Sequence, residues 1–285
     1  MSAKRTTKEN DWVSAVIIDD DEDGTDNNVI VSSPVNILTT SEPRAIKEKK
    51  PRTKIIHEAL AKCFTNIDTI IEVGIDEAGR GPMFGRVYAG AVVLPKDDSF
   101  DHSLMKDSKR FHSKKKIEQV AEYIKANAVA WAVEYEDEKI IDEINILQAT
   151  QSAMHKAIKK VIVQIKNKFA TDSIYDNKNM MLLVDGNYFK PFTTLNGTKT
   201  KMETIQHHLI EKGDNKFTAI AAASILAKVE RDRYIDDLCL ENPELSERYG
   251  IDSNKGYGSK THMDGIKKYG ITKWHRRTFG ICATF

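Results

Sequence analysis

A short apolar run that ends in two adjacent carboxylates restricts the possible fold of this chain more than any other part of its sequence. Residues 71–75 are largely apolar and lead directly into Asp76 and Glu77, with Gly79-Arg80-Gly81 close behind. Carboxylates at the end of a buried strand can hold a metal ion, the arginine can hold phosphate, and the glycines let backbone N–H groups approach a ligand. The stretch therefore predicts a buried strand that ends at a site of chemistry.

Two further aspartates stand where they could join this site. Asp185 follows the apolar run 180–184, which is typical of a strand buried on both faces, and Asp214 precedes a predicted helix. Because strand ends on one edge of a mixed sheet converge, these acids could meet at one point. Grouped carboxylates repel one another unless cations neutralise them, and their hard oxygen ligands suit Mg²⁺ or Mn²⁺. Two such ions ~3.5–4 Å apart would activate a water and stabilise a leaving oxygen on phosphate.

Each of these residues also has a simpler interpretation. A single aspartate at a strand end is more often a turn or cap residue, and Asp185-Gly186 alone would be an ordinary turn. Arg80 between two glycines would then belong to a tight structural turn. The adjacent pair Asp76-Glu77, followed at once by the Gly-Arg-Gly sequence, is harder to explain in this way, so we favour the metal and phosphate site.

The rest of the pattern predicts an α/β fold with a mixed sheet, because strand-like runs are interspersed with segments of helical periodicity. Strands are predicted at 71–75, 85–94, 129–134, 180–184 and 203–210. Helices are predicted at 114–127, 138–168, 218–240 and 263–268, with a further short helix within 55–69.

Residues 1–53 predict a disordered or extended tail, and residues 54–70 predict a linker to a catalytic domain at 71–285. Residues 1–30 carry three basic and eight acidic residues, so the formal net charge of +1 leaves +6 on the rest of the chain. A mildly basic body suits a polyanionic partner. Two interpretations of the tail stay open: a segment without function, or one whose β-branched patches add as strands to the sheet edge of an unknown protein partner.

The sequence gives no sign of a membrane or an export pathway. It contains no stretch of ~20 apolar residues and no apolar segment behind the basic N-terminus, so we expect neither a membrane span nor a secretory signal. Cys63, Cys239 and Cys282 lie far apart without a C-x-x-C pair, which predicts reduced thiols rather than a disulfide or a zinc site. We expect an intracellular monomer, in the cytoplasm or the nucleus.

A basic loop near the C-terminus places an aromatic residue between glycines, in the sequence Lys255-Gly-Tyr257-Gly-Ser-Lys260. A tyrosine held in this way could lie on a sugar or base while the lysines contact the nucleic-acid backbone, with an ordinary exposed loop as the alternative. The eight histidines show no zinc-binding spacing. We expect His262 and His275 in surface or core roles, with phosphate contact as the alternative.

Taken together, these motifs closely resemble ribonuclease HII, the type 2 ribonucleases H. Eight motifs occur in the order of that family and span residues from about 72 to 280. They are Gly74-Ile-Asp-Glu-Ala-Gly-Arg-Gly-Pro82, Asp107-Ser-Lys109, Ile141-Asp-Glu-Ile-Asn-Ile-Leu-Gln-Ala-Thr150, Val184-Asp-Gly-Asn187, Lys212-Gly-Asp214, Ile220 to Val229 with Arg231-Asp-Arg233, Lys255-Gly-Tyr-Gly258 and His275-Arg-Arg277. The chain departs from the family in two places: Arg110 follows the Asp-Ser-Lys motif where a second lysine is usual, and some 70 residues precede the first strand.

The resemblance implies a ribonuclease H-like fold: a five-stranded mixed sheet flanked by helices, with a C-terminal helical region. It implies that two Mg²⁺ or Mn²⁺ ions are held by four catalytic carboxylates, Asp76, Glu77, Asp185 and Asp214. It further implies that Gly79, Arg80 and Gly81 sense the 2′-hydroxyl at an RNA–DNA junction and that Tyr257 stacks on the following deoxyribose. Asp107-Ser108-Lys109 and Lys228 resemble the phosphate-contacting and supporting positions of the family.

The activity implied by the resemblance is cleavage of RNA in RNA–DNA hybrids and at ribonucleotides embedded in duplex DNA, on the 5′ side of the ribonucleotide. Such an enzyme would leave 3′-hydroxyl and 5′-phosphate ends and would act in DNA replication and repair. Two alternatives stay open. One is a catalytically silent nucleic-acid-binding replication accessory, and the other is a two-metal nuclease that cuts plain hybrids without a preference for junctions.

Overall fold

The computed structural model describes residues 59–168, 177–196 and 200–285. The predicted tail at 1–53 and the first part of the linker lie outside the described residues, as do the two β-branched patches of the tail. Seven strands are described: β1 Ile71–Ala78, β2 Val87–Val93, β3 Ala130–Glu136, β4 Met180–Asp185, β5 Thr193–Leu195, β6 Met202–Thr204 and β7 Gln206–Ile210. Six helices are described: α1 Lys114–Asn127, α2 Glu138–Lys168, α3 Thr218–Glu241, α4 Glu244–Tyr249, α5 Ile251–Asn254 and α6 Lys260–Tyr269.

Five strands form one mixed sheet in the order β3-β2-β1-β4-β7, as predicted. β1 is antiparallel to β2 and parallel to β4, and β4 is parallel to β7. β1, β4 and β7 therefore end at the same edge of the sheet. Ile75 is paired with Val184, so Asp76 and Asp185, the next residue of each strand, lie side by side at this edge.

Helices cover both faces of the sheet. The apolar face of α2 packs on one side against residues such as Val73, Ile75 and Val184, all fully buried. On the other side α1 and α3 bury a second apolar cluster. A third cluster joins the end of α3 to α4, α5 and α6 and to the C-terminal segment, which forms the predicted C-terminal helical region.

Two glycines let α3 lie directly against the sheet. A Cβ atom on Gly74 of β1 would lie 2.2 Å from the carbonyl carbon of Ala219, and one on Gly90 of β2 would lie 2.4 Å from the carbonyl oxygen of Ala223. Any side chain at either position would push the helix away from the sheet. The alanine-rich start of α3 and these two glycines therefore fix the distance at which α3 presents its next residue, Ser224.

The structure corrects the predicted fifth strand. The run 203–210 is not one strand, because β6 pairs with β5 in a separate two-stranded sheet and only β7 joins the main sheet. The chain changes sheet at Ile205, whose side chain is fully buried and whose N–H donates to the carbonyl of Phe192 at 3.0 Å. Continuous β-type residues did not reveal this change of sheet.

The predicted linker helix is also corrected, since the described residues 59–70 contain no helix. Ala61 instead forms a parallel bridge with Phe217, and its N–H donates to the carbonyl of Lys216 at 2.8 Å. The buried carboxylate of Glu72 accepts the N–H groups of Phe64 and Thr65. This carboxylate holds the segment extended against the folded body, so a helix is not favoured there.

Smaller differences concern helix limits. The structure starts α6 at Lys260, three residues before the predicted start, because the Ser259 side chain caps the helix by accepting the N–H of His262. The long helix α2 is bent at Asn145, which has a φ of 66°. Within the described ranges, none of the helices combines the length and the apolar character that a bilayer span requires.

Candidate active site

The four predicted carboxylates, here called the carboxylate cluster (Asp76, Glu77, Asp185 and Asp214), meet at the shared edge of β1, β4 and β7. Asp185 Oδ1 accepts the N–H of Gly213 at 2.6 Å, which ties the end of β4 to the turn that carries Asp214. Asp76 and Glu77 both lie within electrostatic reach of Asp185, and so does Asp214. The fold therefore brings together acids from three distant parts of the chain.

Asp76 lies deepest in the cluster, with only 5% of its surface exposed. Burial, and then the charges of Glu77 and Asp185, raise the pKa of its carboxyl well above the usual range. Hydrogen bonds from the Ser224 side chain and the Glu77 backbone oppose this shift. The Ser224 hydroxyl also lies 3.0 Å from that of Ser108, so a buried chain of hydroxyls supports the carboxylate.

Glu77 connects the carboxylate cluster to the arginine that follows it. Burial raises the pKa of Glu77, the neighbouring Arg80 guanidinium opposes that rise, and Asp185 adds to it. Arg80 Nη1 donates to Glu77 Oε1 at 3.2 Å, while about half of the arginine side chain faces solvent. The guanidinium is thus held beside the carboxylates and is still open to a ligand.

A fifth carboxylate, Asp107, belongs to the same site. The pKa of Asp214 is raised by burial and then by Asp107 and Asp185, and Asn215 donates to both Asp107 Oδ2 and Asp214 Oδ1. Asp107 also caps the short turn that carries Lys109. Although burial lowers the pKa of Lys109, the charges of Asp107, Asp214, Asp76 and Asp185 raise it overall. Lys109 is therefore a firmly charged ammonium above a group of acids.

The donor set suits a hard divalent cation. Its oxygen ligands are those that Mg²⁺ and Mn²⁺ prefer, and the acids raise the pKa values of one another, which is the condition that a cation would relieve. Among the described residues, no three acid, histidine or cysteine side chains converge closely enough to ligate one ion without adjustment. The residues fit divalent ions by the type of their donor atoms and by their charge, whereas their placement is not that of a formed ligand set.

Next to the carboxylate cluster, residues 79–81, here called the glycine loop, are held by one buried side chain. The guanidinium of Arg276 is fully buried and donates to five backbone carbonyls, at distances of 2.6 to 3.1 Å. These carbonyls belong to Gly79, Arg80, Pro82, Gly85 and Arg86. Charged donors to otherwise unpaired buried carbonyls are among the stronger contacts in proteins. Arg276 therefore fixes the course of the loop from beneath.

The two glycine positions of the loop differ in whether they have room for a side chain. Gly79 has a φ of +91°, and a Cβ atom there would lie 2.3 Å from Nε of the buried Arg231. A Cβ atom on Gly81 would lie 3.5 Å from Cε1 of Tyr257, an ordinary contact. Gly79 is thus required by the backbone and by packing, whereas Gly81 leaves space beside an aromatic ring that is 52% exposed.

Tyr257 is positioned by a chain of two buried histidines. His275 Nδ1 accepts the N–H of Thr272 at 2.9 Å, so its Nε2 carries the hydrogen and donates to Nε2 of His262 at 3.0 Å. His262 Nδ1 is then the N–H that donates to the carbonyl of Tyr257 at 2.9 Å. Burial lowers the pKa of both rings, that of His275 to about 3, so both are neutral. Their core role was the prediction that we favoured.

Lys228, the last of the predicted site residues, lies within a helix. It lies on α3 one turn beyond Ser224, and its ammonium pairs with Asp232 at 2.8 Å. No role follows from the sequence for three residues that support the site, Ser224, Arg231 and Arg276, whereas Asp107 and Ser108 stand beside Lys109 in a motif that resembles the phosphate-contacting positions of the family. All five belong to the motifs that we recognised, but their roles depend on packing that no local pattern encodes.

Comparisons with known proteins agree with this geometry. The sequence profile of one family, described as Ribonuclease HII, matches residues 73–282. Ribonuclease HII from Parabacteroides distasonis is 41% identical over 211 residues, which cover 74% of this chain and 90% of that protein. Ribonuclease HII from Pelagibacter ubique is 40% identical over 212 residues, or 73% of this chain and 95% of that protein. The fold is similar to that of ribonuclease H2 from Pyrococcus horikoshii OT3, with a TM-score of 0.55 and 24% identity over 75% of this chain and 96% of that one, which confirms the predicted fold class.

Proposed function

The chain belongs to the ribonuclease HII family and is therefore a nuclease of the ribonuclease H type, and we propose that it cuts both RNA–DNA hybrids and duplex DNA that contains single ribonucleotides. The cut falls on the 5′ side of the ribonucleotide and leaves 3′-hydroxyl and 5′-phosphate ends. The observation that carries this proposal is that the glycine loop directly follows the strand that ends in Asp76 and Glu77, and that the ring of Tyr257 lies beside Gly81 of that loop.

The carboxylates would hold two divalent ions, Mg²⁺ or Mn²⁺. Asp76 and Asp185, with Asp214 beside them, would hold one ion, and Asp76 with Glu77 would hold the other. When bound, such ions lower the pKa of the attacking water and stabilise the charge that develops on phosphate. Ser224 keeps the Asp76 carboxylate oriented towards this site through its hydrogen bond.

The chain's own cations orient the phosphate. Lys109 keeps its proton because four carboxylates surround it, so its charge is available to a phosphate oxygen. Arg80 is held by Glu77 and has half of its side chain free to pair with a neighbouring phosphate. These groups bind and orient the backbone at the point of cleavage without taking up or releasing a proton.

The glycine loop and Tyr257 would decide where the cut falls. The N–H groups at Gly79 and Gly81 lie at a loop that Arg276 prevents from moving, so they can read a 2′-hydroxyl at a fixed distance from the carboxylates. The exposed ring of Tyr257 can stack on the following deoxyribose, where a 2′-hydroxyl would crowd it. We propose residues 71–285 as the catalytic domain that carries both the carboxylate cluster and the residues that select the position of the cut.

A silent nucleic-acid-binding protein is a weaker interpretation. Acids placed together where phosphate would lie oppose binding of a polyanion unless cations are bound too. A nuclease for plain hybrids without junction preference is the second alternative. It would explain the carboxylate cluster, but it gives no role to the exposed Tyr257 next to Gly81.

Incubation of the protein with a duplex that contains one ribonucleotide, with and without Mg²⁺, tests the proposal. We expect Mg²⁺-dependent cleavage at the 5′ side of the ribonucleotide, mapped on a sequencing gel. Tyr257→Ala should reduce cleavage of this duplex more than cleavage of a long RNA–DNA hybrid. Equal losses on both substrates would favour the nuclease without junction preference, and no cleavage of either substrate would favour the silent binding protein.

A further inference from the structure

A basic groove lies beside α2, the helix that follows β3, and its lining includes Lys190, five residues beyond Asp185. We propose that this groove, here called the α2 groove, binds the sugar–phosphate backbone of the nucleic-acid substrate beyond the point of cleavage. The proposal rests on the proposed function, because it concerns the path of that same substrate.

The groove is connected to the site by a short and firmly held segment. Lys190 follows Asp185 by only five residues, within ~18 Å along the chain. Its N–H donates to Gln151 Oε1 at 2.7 Å, and His155 Nε2 donates to its carbonyl at 2.8 Å. The neighbouring Phe189 is buried against the ring of His155. Two side chains of α2 thus fix the backbone of Lys190 and leave its ammonium exposed.

The charged side chains that line the α2 groove are all lysines. It has a volume of about 520 Å³ and is lined by three lysines, Lys156, Lys159 and Lys190, but by no carboxylate. Of the three lysines, Lys156 is paired with Glu136, and the neighbouring Lys160 is paired with Glu134. In the part of the chain that the structure describes, Lys159 and Lys190 form no ion pair with an acid.

This arrangement fits a nucleic-acid backbone. Lysines along an open groove neutralise successive phosphates, and they do so without regard to sequence. A duplex with its scissile phosphate at the carboxylate cluster would also have phosphates within one helical turn on either side, roughly 34 Å. Lys190, at most about 18 Å along the chain from Asp185, lies within that distance.

Equilibrium binding to a hybrid duplex tests the proposal. The duplex extends about 10 base pairs beyond the cut on each side, and binding is measured by fluorescence anisotropy in EDTA between 50 and 200 mM salt. We expect Lys159→Glu/Lys190→Glu to raise the Kd at least about tenfold and to lower the slope of log K against log salt by about 2, or about 0.9 for each lost phosphate contact. The neutral pair Lys159→Gln/Lys190→Gln should lower the slope as well and raise the Kd less.

Lys178→Glu is the matched control, because Lys178 is exposed and leads into the start of β4, at the opposite edge of the sheet. If the groove variants bind with the Kd and the salt slope of Lys178→Glu, the proposal is overturned. Cleavage by the wild-type protein in Mg²⁺ separates the proposed function from the α2 groove. If the wild type cuts the duplex and the groove variants bind it as tightly as the wild type does, only the α2 groove is refuted. A wild-type protein that neither cuts nor binds the duplex refutes the proposed function and the groove together.

Discussion

The carboxylate cluster and the glycine loop lie side by side, but they are built in opposite ways. In the cluster, burial and mutual repulsion raise the pKa values of Asp76, Glu77 and Asp214, so the charged state is held at a cost. In the glycine loop and the residues directly after it, five carbonyls are paired with the guanidinium of Arg276. The cluster carries more negative charge than the neighbouring Arg80 and Lys109 offset, whereas the carbonyls around the loop are paired within the protein.

The difference separates two tasks. A site that requires cations for its charge balance can become active only when they are present, which suits the chemical step. A loop that measures a hydroxyl must have one fixed shape before the substrate arrives, which suits selection. Substitutions in the two regions should therefore differ in their effects: those in the cluster should abolish activity without loss of stability, and those around the loop should reduce stability together with selectivity.

The largest effect is expected for Asp76→Asn. Because we propose that this carboxylate helps to hold both divalent ions, we expect cleavage in Mg²⁺ to fall by roughly 10³-fold or more. The free energy of unfolding in EDTA should stay equal or rise, since the amide removes a buried charge that its neighbours repel. Single-turnover cleavage and urea unfolding measure the two quantities. Asp252→Asn, at an exposed position, is the control, and wild-type cleavage by Asp76→Asn would contradict the assignment of the cluster.

Arg276→Lys should have the largest effect on stability. An ammonium cannot reach all five carbonyls, so buried acceptors are left without donors, and we expect a loss of about 3–5 kcal/mol in the free energy of unfolding. Arg277→Lys, the exposed neighbour, should change it by less than about 0.5 kcal/mol. Urea unfolding of both variants and of the wild type measures these changes in the free energy of unfolding. Stability within about 1 kcal/mol of wild type for Arg276→Lys would show that the loop does not depend on this guanidinium.

The two glycines of the loop provide a matched pair. Gly79→Ala should reduce the free energy of unfolding by about 2 kcal/mol, because a left-handed φ and contact with Arg231 both oppose a side chain. Gly81→Ala should leave stability nearly unchanged and still weaken cleavage at an embedded ribonucleotide, because its methyl group would occupy space beside Tyr257. Equal stability for the two variants would mean that the loop adapts to side chains and is not fixed.

The smallest effect concerns the pH dependence of stability, and its sign differs between His275, which supports Tyr257, and Asp76 of the carboxylate cluster. His275 has a folded pKa of about 3, against an ordinary value near 6.5, so the unfolded chain takes up a proton first as the pH falls. Stability is therefore complete above about pH 6.5 and is lost below it, by about 1.4 kcal/mol between pH 7.5 and 5.5 for His275, with a further loss from His262. The raised pKa of Asp76 acts in the opposite direction in metal-free protein, since the folded state then takes up the proton first.

Urea unfolding in EDTA at pH 7.5, 6.5 and 5.5 tests this difference of sign. The loss of stability on acidification should be steeper in Asp76→Asn than in the wild type, because that substitution removes the opposing contribution of the carboxylate. Identical pH dependence of stability in Asp76→Asn and in the wild type would contradict the opposing contribution of Asp76.

Local patterns were sufficient to predict the strands that end in carboxylates and the helices around them. They could not predict that Ser224 supports Asp76, because this contact depends on Gly74 and Gly90, which let α3 approach the sheet. Arg276 was part of a recognised motif, but its five acceptors are set by a loop almost 200 residues earlier. The change of sheet at Ile205 also depends on a distant carbonyl, that of Phe192. The monomeric state and the partner of the tail stay predictions.

Arg276 follows the whole carboxylate cluster in the chain, and this order has a consequence for synthesis. Strands β1 and β4 and the turn that carries Asp214 leave the ribosome before Arg276 is translated, and segments nearer the N-terminus generally fold first. The growing chain can therefore assemble the acids of the proposed cation site before the glycine loop, the proposed selecting element, has its support. We expect a ribosome-bound or truncated chain that stops before Arg276 to lack the support of the glycine loop, although all four acids of the carboxylate cluster are present.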